Sequence, residues 1–238
     1  MTRPGQVPPY LIASLPENYR RQPLMKNAAF LEFRAAASQR GKLEVPWRAS
    51  GKWLWLPPLF GAGWDIDRWV QMLAEAVWEK AYQELPHTPA HVNLLEAQLR
   101  SLHGLYGQGP WHDIYVYLPD PRLLPFPVGT GAWRPSAGRD EALRTYTLAD
   151  DPEHVCAQPP VVEEFHTGNL GTGLKVLRYE PPGDSQPGKV MANFHYAWRC
   201  EEHQTDVTLM TATDELTRLQ RASADVDELA RSMKVIPK

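Results

Sequence analysis

After Asp65, apolar residues recur at intervals of three and four. Ile66, Trp69, Val70, Leu73, Val77 and Ala81 fall on one face, and Asp65 and Asp67 sit in the first turn, where the helix dipole favours negative charge. The spacing predicts an amphipathic helix with Trp69 in its apolar stripe. Trp78 is one position off that stripe and Trp64 precedes the helix, so both are expected to be partly exposed. Thr88 as N-cap and Pro89 as first helical residue open a second helix, whose stripe is Val92, Leu95, Leu99, Leu102 and Tyr106 until Gly104 and Gly107 loosen it. The short link Leu85-Pro86-His87 predicts an antiparallel helical hairpin. After Pro110 the period becomes two: Ile114, Val116 and Leu118 alternate with Tyr115 and Tyr117, a strand that ends at Pro119-Asp120-Pro121.

Upstream of the hairpin, Pro4, Pro8, Pro9, Pro16 and Pro23 predict an extended or disordered arm over residues 1–24. The Ala-rich run from Met25 to Gln39 predicts a helix stopping before Gly41. In Lys52-Trp-Leu-Trp-Leu, Trp53 and Trp55 share one strand face and Leu54 and Leu56 the other, so this strand is either buried on both sides or covered by another chain. Residues 121–140, rich in Pro and Gly, are the best linker candidate. Arg144–Leu148, Val161–His166, Leu174–Glu180, Val190–Cys200 and Asp206–Thr211 read as successive strands of a meander. Pro181 to Gly188 forms a turn and Glu201 to Thr205 a polar loop within it. Leu216, Leu219, Val226, Leu229 and Met233 predict a closing helix, with Ser223 able to cap a second segment. The expected class is α+β: a helical hairpin in a Trp-rich amino-terminal part, then an antiparallel sheet and terminal helix. The parts are 1–24, 25–135 and 141–238, the last two separate or continuous.

The 238 residues, 43% hydrophobic with a net charge of -3, describe an ordinary globular protein with room for a sizeable core. No run approaches the ~18 to 20 apolar residues that span a bilayer, and Met1 to Pro16 has only Tyr10 to Ala13 where a signal peptide needs a longer apolar stretch. A cytoplasmic address without a membrane span is expected. Cys156 and Cys200 are too few for a secreted disulfide scaffold. Charge is uneven: residues 1–60 carry nine Lys or Arg and three Glu, an excess of six positive charges. Apart from the adjacent Arg20 and Arg21, these are scattered singly among apolar and proline residues, which disfavours a nucleic-acid surface.

The carboxy-terminal third, with Val207-Thr-Leu-Met-Thr-Ala-Thr213 and then Val226-Asp-Glu-Leu-Ala-Arg-Ser-Met-Lys-Val235, resembles the end of a PsbP-like domain over about residues 144–236. The resemblance implies a curved antiparallel sheet ending in a hairpin and a helix that packs across it. It also implies a mostly non-catalytic role as assembly factor, secreted lipoprotein or adaptor, with no shared catalytic set. The helical amino-terminal half and the missing lipoprotein signal depart from that pattern.

Six of the nine tryptophans, Trp47, Trp53, Trp55, Trp64, Trp69 and Trp78, fall between residues 47 and 78. Trp is costly to leave in water and enriched at interface hot spots. The leading expectation is therefore a non-catalytic adaptor that grips a protein partner or its own copy through Trp47, Trp53, Trp55 and Trp64, with Arg48 and Lys52 steering the encounter. The alternative is a metalloprotein or enzyme built from distant groups. His154-x-Cys156 and Cys200-x-x-His203 would make a tetrahedral zinc site if the pairs meet, whereas strand alternation sets Cys200 beside Phe194, Tyr196 and Trp198 as a core thiol. Nucleic-acid binding is the third. Gly168-Asn-Leu-Gly-Thr-Gly173 reads as a hairpin turn rather than a phosphate cradle, since a strand follows it, and the adjacent carboxylates Asp150-Asp151, Glu163-Glu164 and Glu201-Glu202 read as solvated charges.

Overall fold

The Asp65 carboxylate accepts a hydrogen bond from the Arg68 N–H at 3.1 Å and caps helix α1 (Ile66–Ala76). The structure is a computed structural model and describes residues 30–33, 52–56, 65–81, 84–106, 113–135, 137–150, 156–181 and 190–236. The expected amino-terminal arm lies outside them. Helix α1 runs into one π-helical turn, Val77–Ala81, which inserts a residue into the helical repeat. Trp78 consequently turns inward: it is 2% exposed and stacks at 5.5 Å on His87 and 5.3 Å on His91. The partial exposure expected of it on a regular helix does not occur. Helix α2 (Pro89–Tyr106) starts at the predicted proline, with the Thr88 carbonyl accepting from His91 N–H at 2.9 Å. Asp67 pairs with Arg100, and Trp78 meets His91, so the two helices run antiparallel.

Strands β2 (Trp53–Leu56), β3 (Asp113–Tyr117), β4 (Phe126–Trp133), β5 (Gln158–Thr167), β6 (Gly171–Glu180), β7 (Met191–Cys200) and β8 (Thr205–Thr213) build one antiparallel sheet. Its order is β2-β3-β4-β8-β7-β6-β5. On one face Leu54, Leu56, Ile114, Val116 and Met210 pack under α1 and α2. On the other, Trp53, Tyr117, Phe126, Phe194, Tyr196 and Trp198 pack against Leu219, Val226 and Leu229 of helix α4 (Leu216–Ser232). Both faces of β2 are thus covered by the same chain. Helix α3 (Arg139–Thr147) covers the first face further along, where Leu143 and Tyr146 meet Trp133 and Ala197. The result is an α+β protein with the sheet drawing strands from both sides of residues 136–140.

Four further expectations are corrected. Arg144–Leu148 is not a strand: residues 139–147 are helical, with Asp140 and Glu141 favourable in the first turn and Ala142, Leu143, Tyr146 and Thr147 buried at helical spacing. Leu148 ends that helix at φ 55°, a left-handed conformation that its carbonyl's bond from the buried Arg178 guanidinium helps hold. Within the presumed linker, residues 126–133 form an interior strand. Its Pro127 pairs only on the β3 side, beyond the β8 ladder, where the Thr211 hydroxyl donates to the Pro127 carbonyl at 2.8 Å. Phe30–Phe33, expected in a helix, is strand β1, paired with β9 (Met233–Ile236); long-range pairing overrides local helix propensity there. Leu216–Ser232 is one continuous helix, so Ser223 caps nothing.

Candidate functional site

The residues expected to form a partner surface have separate fates. Trp53 is 2% exposed and packs at 5.0 Å against Tyr117. Half-buried Trp55 donates from Nε1 to Asp113 Oδ1 at 2.9 Å and meets Trp69 edge-on at 5.7 Å. The Lys52 ammonium lies 2.7 Å from Asp225 Oδ1 of α4. These three groups are engaged within their own fold; Trp47, Arg48 and Trp64 lie outside the described residues.

Of the proposed metal ligands, His154 also lies outside the described residues. Cys200 is buried at 7% exposure on the face it shares with Phe194, Tyr196 and Trp198, and burial pushes its thiol pKa up. Half-buried Cys156 precedes β5, next to Ala157, whose N–H donates to the Tyr179 carbonyl. Tyr179 pairs with Ala192, at the far end of β7 from Cys200. Eight residues at roughly 3.3 Å each set the two ends about 26 Å apart, so the fold does not bring Cys156 to Cys200 and His203. No group of three or more His, Cys, Asp or Glu with metal-binding geometry occurs among the described residues. Nor is any described helix long and apolar enough to cross a membrane.

A different place draws groups together. The end of α2, the β3–β4 loop, the end of β8 and the start of α4 enclose a cleft of about 200 Å³. Leu102, Tyr106, Phe126, Met191 and Ala212 supply apolar wall, and Leu124 stands at its edge. That edge is stiff. The Asp120 carboxylate accepts from the Arg122 backbone N–H at 2.9 Å and from its guanidinium Nε at 2.9 and 3.2 Å, while Leu123 N–H donates to the Asp120 carbonyl at 3.0 Å. The Arg122 guanidinium holds the Asp120 carboxyl below the usual carboxylate range. The loop so fixed presents Leu123 at 45% and Leu124 at 55% exposure. This is an apolar lip.

Arg218 closes the polar side of the cleft. Its guanidinium lies over the Phe126 ring at 5.9 Å and 3.8 Å from a Glu215 carboxylate oxygen. Burial pulls its pKa below the ordinary arginine value, with Glu215 opposing that shift. Its Nε and Nη2 are buried without a hydrogen-bond partner among the described residues. Sequence reasoning singled out neither Arg218 nor Leu123 and Leu124. Two leucines between Pro121 and Pro125 were the available signal, because a loop held by prolines has no stripe on which to bury them.

No family model matches the chain, and no curated protein matches it significantly.

Proposed function

We propose that this chain is a non-catalytic protein-binding or adaptor protein that receives one large apolar side chain of its partner in the cleft beside Leu124. The cleft's size carries the reading. About 200 Å³ is below the ~300 to 1,000 Å³ of small-molecule sites, which suits one large side chain better than a whole ligand. Protein interfaces are anchored in just this manner, by single residues filling preformed pockets walled by aromatic and arginine side chains. Tyr106, Phe126 and Arg218 are such walls. The resemblance of residues 144–236 to PsbP-like domains points the same way, since adaptors are common among them. The positive excess of residues 1–60, Arg48 included, would speed approach of an acidic partner without supplying the anchor.

A photo-crosslinking residue tests this. With p-benzoyl-phenylalanine in place of Leu124 in the native cells, irradiation is expected to give a discrete adduct of higher mass. Ala212→Phe, which fills the cleft from β8, is expected to abolish it. No adduct, or an adduct indifferent to the filled cleft, overturns the reading.

A further inference from the structure

Strand β5 forms one end of the seven-stranded sheet, and among the described residues no strand pairs with its outer edge. The opposite end is different: β2 has only four residues, and Trp53, Leu54 and Leu56 are buried. In β5 the first residues are poorly suited to pairing, because Pro159 and Pro160 have no N–H and the register with β6 shifts between Gln158 and Val161. From Val161 to Thr167 the strand pairs residue by residue with β6. Those seven residues span about 23 Å, a full strand length by the usual measure.

This open stretch carries an unusual side-chain pair on each face. Val161 and Glu163 lie on the face toward α4, and Val162 and Glu164 on the other, by strand alternation. Val161 is 44% and Val162 40% exposed. The Glu164 side chain is 74% exposed, and the ring of His166 lies 3.8 Å away. Edge strands are commonly guarded by lysine, proline or a bulge; here the guards stand at one end and the middle offers β-branched residues beside carboxylates.

We infer that Val161–Thr167 is a strand-addition site for an extended basic segment of a partner protein, one in which two adjacent lysine or arginine residues are followed by two adjacent β-branched residues. An added strand would bond to the outward N–H and C=O groups of β5, and its side chains would face those of β5 at the cross-strand spacing of about 5 Å. Valine opposite β-branched residues and glutamate opposite lysine or arginine are both favourable there. The same carboxylates disfavour a second copy of this chain. In the antiparallel register that overlaps all of Val161–Thr167, Glu164 stands opposite Glu164, and in the next register toward the prolines Glu163 stands opposite Glu163. Like charges directly opposed are destabilising. This site is separate from the cleft, and either can fail without the other.

Hydrogen exchange on the full chain tests the inference, with two capped heptapeptides as probes: Val-Thr-Val-Lys-Lys-Val-Val, and the same peptide with glutamate at both lysine positions. The lysine peptide, at about ten times its Kd, is expected to slow exchange of the outward amides of residues 161–167 about tenfold. The glutamate peptide is expected to leave them unchanged, and the double variant Glu163→Lys, Glu164→Lys to exchange the two preferences. The gentler pair Glu163→Gln, Glu164→Gln should simply lose the preference for lysine, which serves if the charge reversal does not fold. The inference is overturned if neither peptide protects the strand or if both protect it equally. It is equally overturned if residues 161–167 are already protected without peptide, which would mean that the chain or a second copy covers this edge.

Discussion

The Lys175 ammonium in β6 lies 2.8 Å from one carboxylate oxygen of Asp227 in α4 and 3.1 Å from the other. The same ammonium stands over the rings of Phe194 at 5.0 Å and Tyr196 at 5.6 Å, and the Tyr196 hydroxyl donates to Asp227 at 2.6 Å. Two residues earlier Asp225 repeats the arrangement, accepting from Lys52 at 2.7 Å and from the Tyr117 hydroxyl at 2.6 Å. Residues i and i+2 of a helix face different sides. One aspartate therefore reaches β6 and β7 while the other reaches β3 and the start of β2, and the helix is tied down on both flanks.

The two ties should differ in strength. Lys175 and Asp227 side chains are 12% and 18% exposed, whereas Lys52 is 43% exposed. Asp227→Ala leaves a nearly buried ammonium uncompensated and should cost about 3 kcal/mol. In Asp225→Ala the Lys52 ammonium can hydrate, and the cost should be about 1 kcal/mol. Urea unfolding midpoints of the two variants check this; equal losses would refute the role of burial.

Tyr196 makes stability fall in alkali. Burial, then the Asp227 carboxylate, push its pKa far above the ordinary value of 10.0. Above that value the unfolded chain loses the phenol proton while the folded chain keeps it, so the unfolded state binds fewer protons and stability drops as pH rises. The contribution should be about 1.4 kcal/mol for each pH unit above the unfolded pKa. Tyr196→Phe should remove that part of the slope when urea midpoints are followed from about pH 9 to about pH 11. An identical slope in the variant would show that Tyr196 ionises freely in the folded protein.

Gly131 is required by an indole. A Cβ at this position would sit 2.5 Å from Thr208 Oγ1 and 2.6 Å from Trp133 Nε1, two atoms that are hydrogen-bonded to each other at 3.1 Å. Gly131→Ala should therefore destabilise by about 1 to 3 kcal/mol and alter the near-ultraviolet dichroism of Trp133. Gly168→Ala, with open space around its Cβ, is the control and should melt like the parent. Equal melting temperatures for all three would contradict the packing.

The two thiols should react at different rates. Cys156 is half-buried, whereas Cys200 is 7% exposed with its thiol pKa raised by burial. A disulfide-exchange reagent near neutral pH should label one thiol per chain quickly and the second only in denaturant. Labelling that stays slow at both and is relieved by a chelator would revive the zinc reading.

Helices α1 and α2, strands β3 and β5 to β8, and helix α4 were all legible from the sequence, as was the inward face of Cys200. Arg144-Thr-Tyr-Thr-Leu148 misled because β-branched and aromatic residues are strand-prone by composition, while the deciding pattern begins earlier, at Asp140 and Ala142. Phe126 to Trp133 misled because Pro127, Gly129 and Gly131 look like loop residues. Two of them are there for contacts that sequence does not reveal: the end of the β8 ladder for Pro127, and the Trp133 indole for Gly131. The cleft was illegible because its walls come from α2, the β3–β4 loop, β8 and α4.

The sequence by itself determined which short segments are helix or strand and which face of each is apolar, because backbone period is set within a dozen residues. Tertiary structure alone decided that Trp53 and Trp55 turn toward their own fold, that Lys52 meets Asp225 across 173 positions, and that, among the described residues, a leucine-lipped cleft and an unpaired β5 edge remain. Those outcomes depend on which distant strands pair and which helix covers them, and no local periodicity encodes that choice.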